Sequence, residues 1–132
     1  MECEQVESLQ LRLVNVTDEG LKNLSQLKNL SKLVLSRANL YGDGLVHLAE
    51  LDELRDLSLE RNQISDASLT HLTGLKKLRT LNLYGCPLTD AAAEQLEQLT
   101  ELKYLDIRLT SLSRLSIAKL KAKLPNCTIR DQ

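Results

Sequence analysis

Residues 54–88 read LRDLSLERNQISDASLTHLTGLKKLRTLNLYGCPL, and two rhythms alternate within them. In LSLERNQI (57–64) the leucines open two apart, which puts their side chains on one face of a short strand. In SDASLTHLTGLKKL (65–78) they fall three apart, the spacing of a helical or 3₁₀ turn with one buried stripe. Ser65 and Asp66 stand between the rhythms and offer side-chain oxygens to the unpaired amides of a helix start. At LRTLNLYGCPL (78–88) the first rhythm begins again, 24 positions after LRDLSLERNQI (54–64). The predicted unit is strand, corner, helix, return.

The same step runs outward through the chain. Leu9, Leu33, Leu57, Leu81 and Leu105 keep it, as do Leu11, Leu35, Leu59, Leu83 and Ile107. Val16, Leu40, Ile64, Leu88 and Leu112 form a third column, and Leu24, Leu48, Leu72, Leu96 and Leu120 a fourth. Two more columns hold Leu21, Leu45, Leu69, Ala93 and Ile117, and Leu30, Leu54, Leu78 and Leu102. Thr17–Asp18 and Thr89–Asp90 repeat the corner signal, whereas Tyr41–Gly42–Asp43 predicts a helix start displaced by one residue in the second copy. A repeat of this length cannot bury its leucines alone, but stacked copies share a continuous core. Composition agrees: 32 of the 132 residues are leucine, with no Phe or Trp and three tyrosines. One side chain can fill a core whose every layer is the same layer repeated. The expectation is one domain over residues 1–132, with about five repeats and partial repeats at both ends.

LRTLNLYGCPL (78–88) resembles the LxxLxLxxCxxL segment of the leucine-rich repeat family, and LRDLSLERNQI (54–64) its LxxLxLxxNxxI form. LTDAAAEQL (88–96) and ISDASLTHL (64–72) are similar to the helix start of the cysteine-containing subtype and of bacterial tandem repeats of this length. The resemblance implies an α/β fold, a right-handed solenoid with parallel strands on the concave face and helices on the convex face. The family's Asn/Cys ladder position reads Val14, Ala38, Asn62, Cys86 and Thr110 here, so a ragged ladder is expected.

Cys3, Cys86 and Cys127 are widely spaced and form no CxxC pair, which fits neither a disulfide framework nor a zinc site. MECEQVESL at the start carries three glutamates and no apolar run, unlike a secretory leader, and no stretch is long and apolar enough for a bilayer. A reducing, cytoplasmic setting is the expectation. At the ends, Cys3 and Val6 continue the columns of Leu27 and Leu30, Glu2, Glu4 and Glu7 stand where they would guard an edge, and LPNCTI (124–129) brings Ile129 into step with Leu105. The fragment LPNCTI is similar to endings found in bacterial members of the family.

With the register fixed, the residues flanking the inward leucines face the concave side. Their rows read Ser8, Lys32, Asp56, Thr80, Tyr104; then Gln10, Val34, Ser58, Asn82, Asp106; then Arg12, Ser36, Glu60, Tyr84, Arg108. The C-terminal half of this face gathers Glu60, Arg61, Asn82, Tyr84, Tyr104, Asp106 and Arg108, and tyrosine and arginine dominate interface hot spots. These seven are the candidate partner-binding residues. Charge is also uneven: residues 1–66 hold 7 basic and 12 acidic groups, residues 67–132 hold 10 and 6. The charges could steer an acidic partner or favour weak head-to-tail stacking, although lysines in a last helical turn also complement the helix dipole.

Catalysis needs a base within reach of a nucleophile or substrate proton. His47 and His71, 24 apart on neighbouring outer helices, lie away from the concave rows, and no thiol or carboxylate shares their register to complete a metal site. Cys86 falls in an inward column and reads as packing. Glu60 and Asp106 could mimic a carboxylate pair, yet an open face would not raise the pKa of an acid. No glycine-rich phosphate loop occurs. The charges lack the interleaved aromatics of a nucleic-acid surface. The sequence therefore predicts a non-catalytic protein–protein interaction module without cofactor or metal, in which a protein partner meets the concave face. A scaffold that self-associates through its ends, or a regulatory subunit for an enzyme on another chain, is the alternative.

Overall fold

The computed structural model describes residues 5–132. Six strands, β1 (Ser8–Arg12), β2 (Lys32–Ser36), β3 (Asp56–Ser58), β4 (Thr80–Asn82), β5 (Tyr104–Asp106) and β6 (Thr128–Arg130), form one parallel sheet in chain order. Every pairing keeps the step read from the sequence, from Leu9 opposite Leu33 to Leu105 opposite Ile129. Parallel neighbours need a crossover, and helical segments supply it. These are α1 (Thr17–Leu24), α2 (Leu45–Leu48), a 3₁₀ segment Ala67–Leu72, a 3₁₀ turn Asp90–Ala92 that runs into α3 (Ala93–Leu96), and α4 (Arg114–Lys123). Strands line the concave face of the solenoid and helices its convex face. No helix among the described residues is long and apolar enough to cross a membrane.

Leu33, Leu35, Leu57, Leu59, Leu81, Leu83 and Leu105 are all sealed from solvent, as are the helix leucines Leu48, Leu72, Leu96 and Leu120. Each coil covers the apolar side of the next, so leucine meets leucine and no larger side chain is needed. Coverage fails at β1, where Leu9 and Leu11 are half-buried because among the described residues no coil lies beyond them. Cys3, Glu2 and Glu4 lie outside the described residues.

Each of the first five strands is followed by one left-handed residue of a shared column. Leu13, Arg37, Arg61, Gly85 and Leu109, 24 apart, have φ of 54°, 49°, 56°, 71° and 56°. A non-glycine residue there costs about 1 kcal/mol, which the coil repays by turning its next residue into the core. That residue is the ladder position, and the ladder is indeed ragged. Asn62 accepts from the Ala38 and Leu40 amides at 2.9 and 3.3 Å and donates to the Leu35 and Leu59 carbonyls at 2.6 and 3.0 Å, tying two coils together. Cys86 donates its S–H to the Leu59 carbonyl at 3.2 Å, whereas Thr110 bonds back to Ile107 within its own coil. Val14 can do neither and is exposed.

The helix starts differ from expectation. Thr89 and Ser113 cap in the ordinary way, accepting from the Ala91 and Ser116 amides, but the aspartates do not serve their own helices. Asp18 accepts from the amides of Tyr41, Gly42 and Gly44, Asp66 from the amide and hydroxyl of Thr89, and Asp90 from the amide of Ser113. Each reaches forward to the next coil, because stacking brings that coil's unpaired amides closer than those of its own helix. In the second copy, Asp18 gathers three amides around Gly42 (φ 111°) and α2 begins at Leu45, later than the one-residue displacement expected.

Candidate functional site

Position ten of the repeat decides how the concave face is built. In β4 and β5 it holds Asn82 and Asp106, whose side chains accept from the amides two residues on, Tyr84 at 2.9 Å and Arg108 at 3.1 Å. An Asx side chain thus takes an amide that the ladder would otherwise use. Both strands stop at three residues, as does β3 with Ser58 at this position, while β1 and β2, with Gln10 and Val34, run for five. Tyr84 and Arg108 are presented just beyond the shortened strands.

There they assemble a cluster. The Arg61 and Arg108 guanidinium carbons lie 5.1 and 5.0 Å from the centre of the Tyr84 ring, within cation–π range. They approach from the two coils that flank it. Arg108 also forks onto Asp106, Nε to Oδ1 at 3.0 Å and a terminal nitrogen to Oδ2 at 2.7 Å. Asp106, only 2 % exposed, uses both oxygens on this one residue. Burial pushes its carboxyl pKa up, but the Arg108 hydrogen bonds and charge, helped by Arg130, outweigh burial and hold it below the ordinary range. An ionised, fully engaged carboxylate is the opposite of what an acid catalyst requires. Gly85 makes room: a Cβ there would stand 3.1 Å from Cγ of Arg61.

Five of the seven candidate residues, Glu60, Arg61, Asn82, Tyr84 and Arg108, line one shallow depression of about 250 Å³. Tyr104 lies apart from it, in a second trough of about 280 Å³ with Lys32, Val34, Asp56, Thr80 and Asn82. Asn82 borders both. Asp106 was expected as a surface contact and is instead buried, holding Arg108 in place; the side chain two positions ahead folds back over it. Val34 and Ser36, also in the concave rows, are buried as well. Arg130 pairs with Asp106 across β5 and β6 and so belongs to this face. Its register with Asp106 follows from Ile129 standing in step with Leu105.

The remaining reactive groups lie elsewhere. Burial pushes the Cys86 thiol up to about 11, as suits a packing residue, and Cys127, half-buried, is also raised by burial. His47 and His71 are half-exposed on the convex side. Among the described residues no three His, Cys, Asp or Glu side chains gather closely enough to hold a metal ion.

Comparison with known proteins agrees with this architecture. Residues 28–88 match the leucine-rich repeat family model. No curated protein sequence matches the chain. Among solved structures, a leucine-rich repeat protein of Leptospira interrogans superposes with a TM-score of 0.73 at 23 % identity, over 96 % of this chain and 37 % of that one. The leucine-rich repeat ectodomain of the Arabidopsis receptor kinase HAESA, solved with a peptide hormone ligand, gives 0.63 at 23 % identity over 83 % of this chain and 18 % of that one. The plant peptide hormone receptor RGFR1 in complex with RGF2 gives 0.58 at 16 % identity, over 97 % and 24 %. At these identities the likeness establishes the fold, and the chain spans well under half the length of each structure.

Proposed function

We propose that this chain, a leucine-rich repeat solenoid, is a non-catalytic interaction module that holds a protein or peptide partner against its concave strand face. The observation that carries this reading is the fixed cluster on that face, where Asp106 and Tyr84 hold two guanidiniums beside an open trough containing Tyr104. Side chains locked before binding lose little entropy when a partner arrives, and tyrosine and arginine are the types that anchor interfaces. Relatives of the same fold that are solved with peptide hormones make a peptide-sized ligand a reasonable class for this face too.

The test uses immobilised protein as bait, with Tyr84→Ala plus Arg108→Ala and Tyr104→Ala compared with the unaltered chain. A convex substitution, Lys119→Ala, serves as the control. Circular dichroism checks that each variant is folded. Loss of partner recovery in the concave variants alone is expected; equal recovery from all of them would sink the proposal. End-to-end association is the competing use of the molecule, supported by the half-buried Leu9 and Leu11 and by the place of β1 at the edge of the sheet among the described residues.

A further inference from the structure

The arginines of this chain are not distributed like its lysines. Five of the eight, Arg12, Arg37, Arg61, Arg108 and Arg130, lie on the concave rows or the residue just after them, whereas Lys32 alone of the nine lysines occupies those rows. Arginine presents a planar fork that matches a carboxylate at two points, and lysine does not.

Their partners differ along the face. Arg108 is committed to Asp106, and Arg61 stacks on Tyr84 with its Nε 3.8 Å from Glu60. Arg12 has one side-chain bond, to the Ser36 hydroxyl at 3.3 Å, and no acidic partner among the described residues. Arg37 is exposed, carried outward on its left-handed backbone, and also lacks an acidic partner there. Arg12, Leu13, Ser36, Arg37 and Glu60 line a depression of about 200 Å³. Glu60 also lines the depression at Tyr84, and Asn82 continues that one into the trough of Tyr104, so the three form one path across the coils.

We infer that the occupant of this path is an extended acidic peptide segment, which sets a carboxylate side chain against Arg12 and Arg37 and runs over the Tyr84 cluster toward Tyr104. The inference rests on the concave-face reading above and adds the chemistry of the partner. Electrostatics select the sign: Arg12, Arg37, Arg61, Arg108 and Lys32 line the path against Glu60 and Asp56, while Asp106 is buried beneath Arg108. The shape selects a peptide over a nucleic acid. The depressions are the size of single side chains, Tyr84 is flanked by guanidiniums, and Tyr104 alone is left to stack, too little for a run of bases.

Fluorescence anisotropy at low salt tests this with labelled decapeptides of alternating Glu and Ala, Gln and Ala, or Lys and Ala, and with an oligothymidylate of equal charge. The Glu peptide binds most tightly, and binding weakens as salt rises. Arg12→Gln and Arg37→Gln each reduce its affinity by about fivefold, while Glu60→Gln, which removes one of the two half-buried acids on the path and leaves Asp56, increases it by a similar factor. No binding, a Lys preference, an oligothymidylate that binds as tightly, or an affinity that ignores Arg12 and Arg37 would overturn the inference. If the Gln peptide binds as well as the Glu peptide and Tyr104→Ala still weakens it, the acidic chemistry fails while the concave-face reading stands. Binding that ignores Tyr104 as well removes both.

Discussion

Asn62 shows how much one side chain can hold in a stacked fold. It is 2 % exposed and satisfies two amides and two carbonyls spread over two coils. Removing it leaves several buried backbone groups unpaired at once, each worth about 1–3 kcal/mol. Asn62→Ala is therefore expected to cost about 3 kcal/mol, read as a lower urea midpoint, whereas Thr110→Ala, which breaks one bond inside its own coil, costs much less. A similar loss from both would show that Asn62 carries no inter-coil load. The Asn/Cys pattern made its column legible in advance. Asp106 was not legible in the same way: alternation places it on the concave face, but its burial depends on where the Arg108 side chain folds. The spacing Asp106–Ile107–Arg108 was the available sign, since residues two apart on a strand share a face.

Within the repeat, short-range chemistry modulates a constant pattern. At the same column position Asn82 and Asp106 take the amide two residues on, and their strands run for three residues, as β3 does with Ser58, whereas those with Gln10 and Val34 run for five. Gly85 is the glycine in a left-handed column otherwise filled by Leu13, Arg37, Arg61 and Leu109. It meets two demands: the backbone turn, which other residues also manage, and space for Arg61, which they would deny. Gly85→Ala is expected to cost about 1 kcal/mol through the backbone alone and to move Arg61 away from the Tyr84 ring. A tyrosine fluorescence and chemical-shift comparison with Arg61→Ala checks the second effect; an unperturbed Tyr84 in Gly85→Ala would contradict it. The corner aspartates teach a related lesson. A Thr–Asp or Ser–Asp pair before a helix looks like a local cap, but the amides its aspartate satisfies, at Tyr41, Gly42, Gly44, Thr89 and Ser113, belong to the following coil. Sequence distance hid them, as each lies at least 23 residues away.

Across the whole molecule, stability passes from coil to coil through nearest neighbours. A leucine between two coils should count for more than its equivalent at an end. Leu57→Ala, in the sealed centre, is expected to cost about 3–4 kcal/mol, and Leu9→Ala, half-buried on β1, clearly less. Equal losses in urea unfolding would mean that the terminal coil is buried in solution, as an end-to-end assembly would make it. The same stacking turns the concave face into a surface assembled from six strands, so that residues 23 to 47 apart, such as Arg61, Tyr84 and Arg108, meet in one cluster.

The amino-acid sequence by itself determined the period, the register and the inward columns, because leucine burial repeats every 24 residues and a slip of one would turn every strand inside out. Only the tertiary structure decided which polar side chains of the concave face are free and which are spent. Those choices are made between coils, where a guanidinium takes the nearest carboxylate or ring that stacking supplies, and no local pattern encodes that distance.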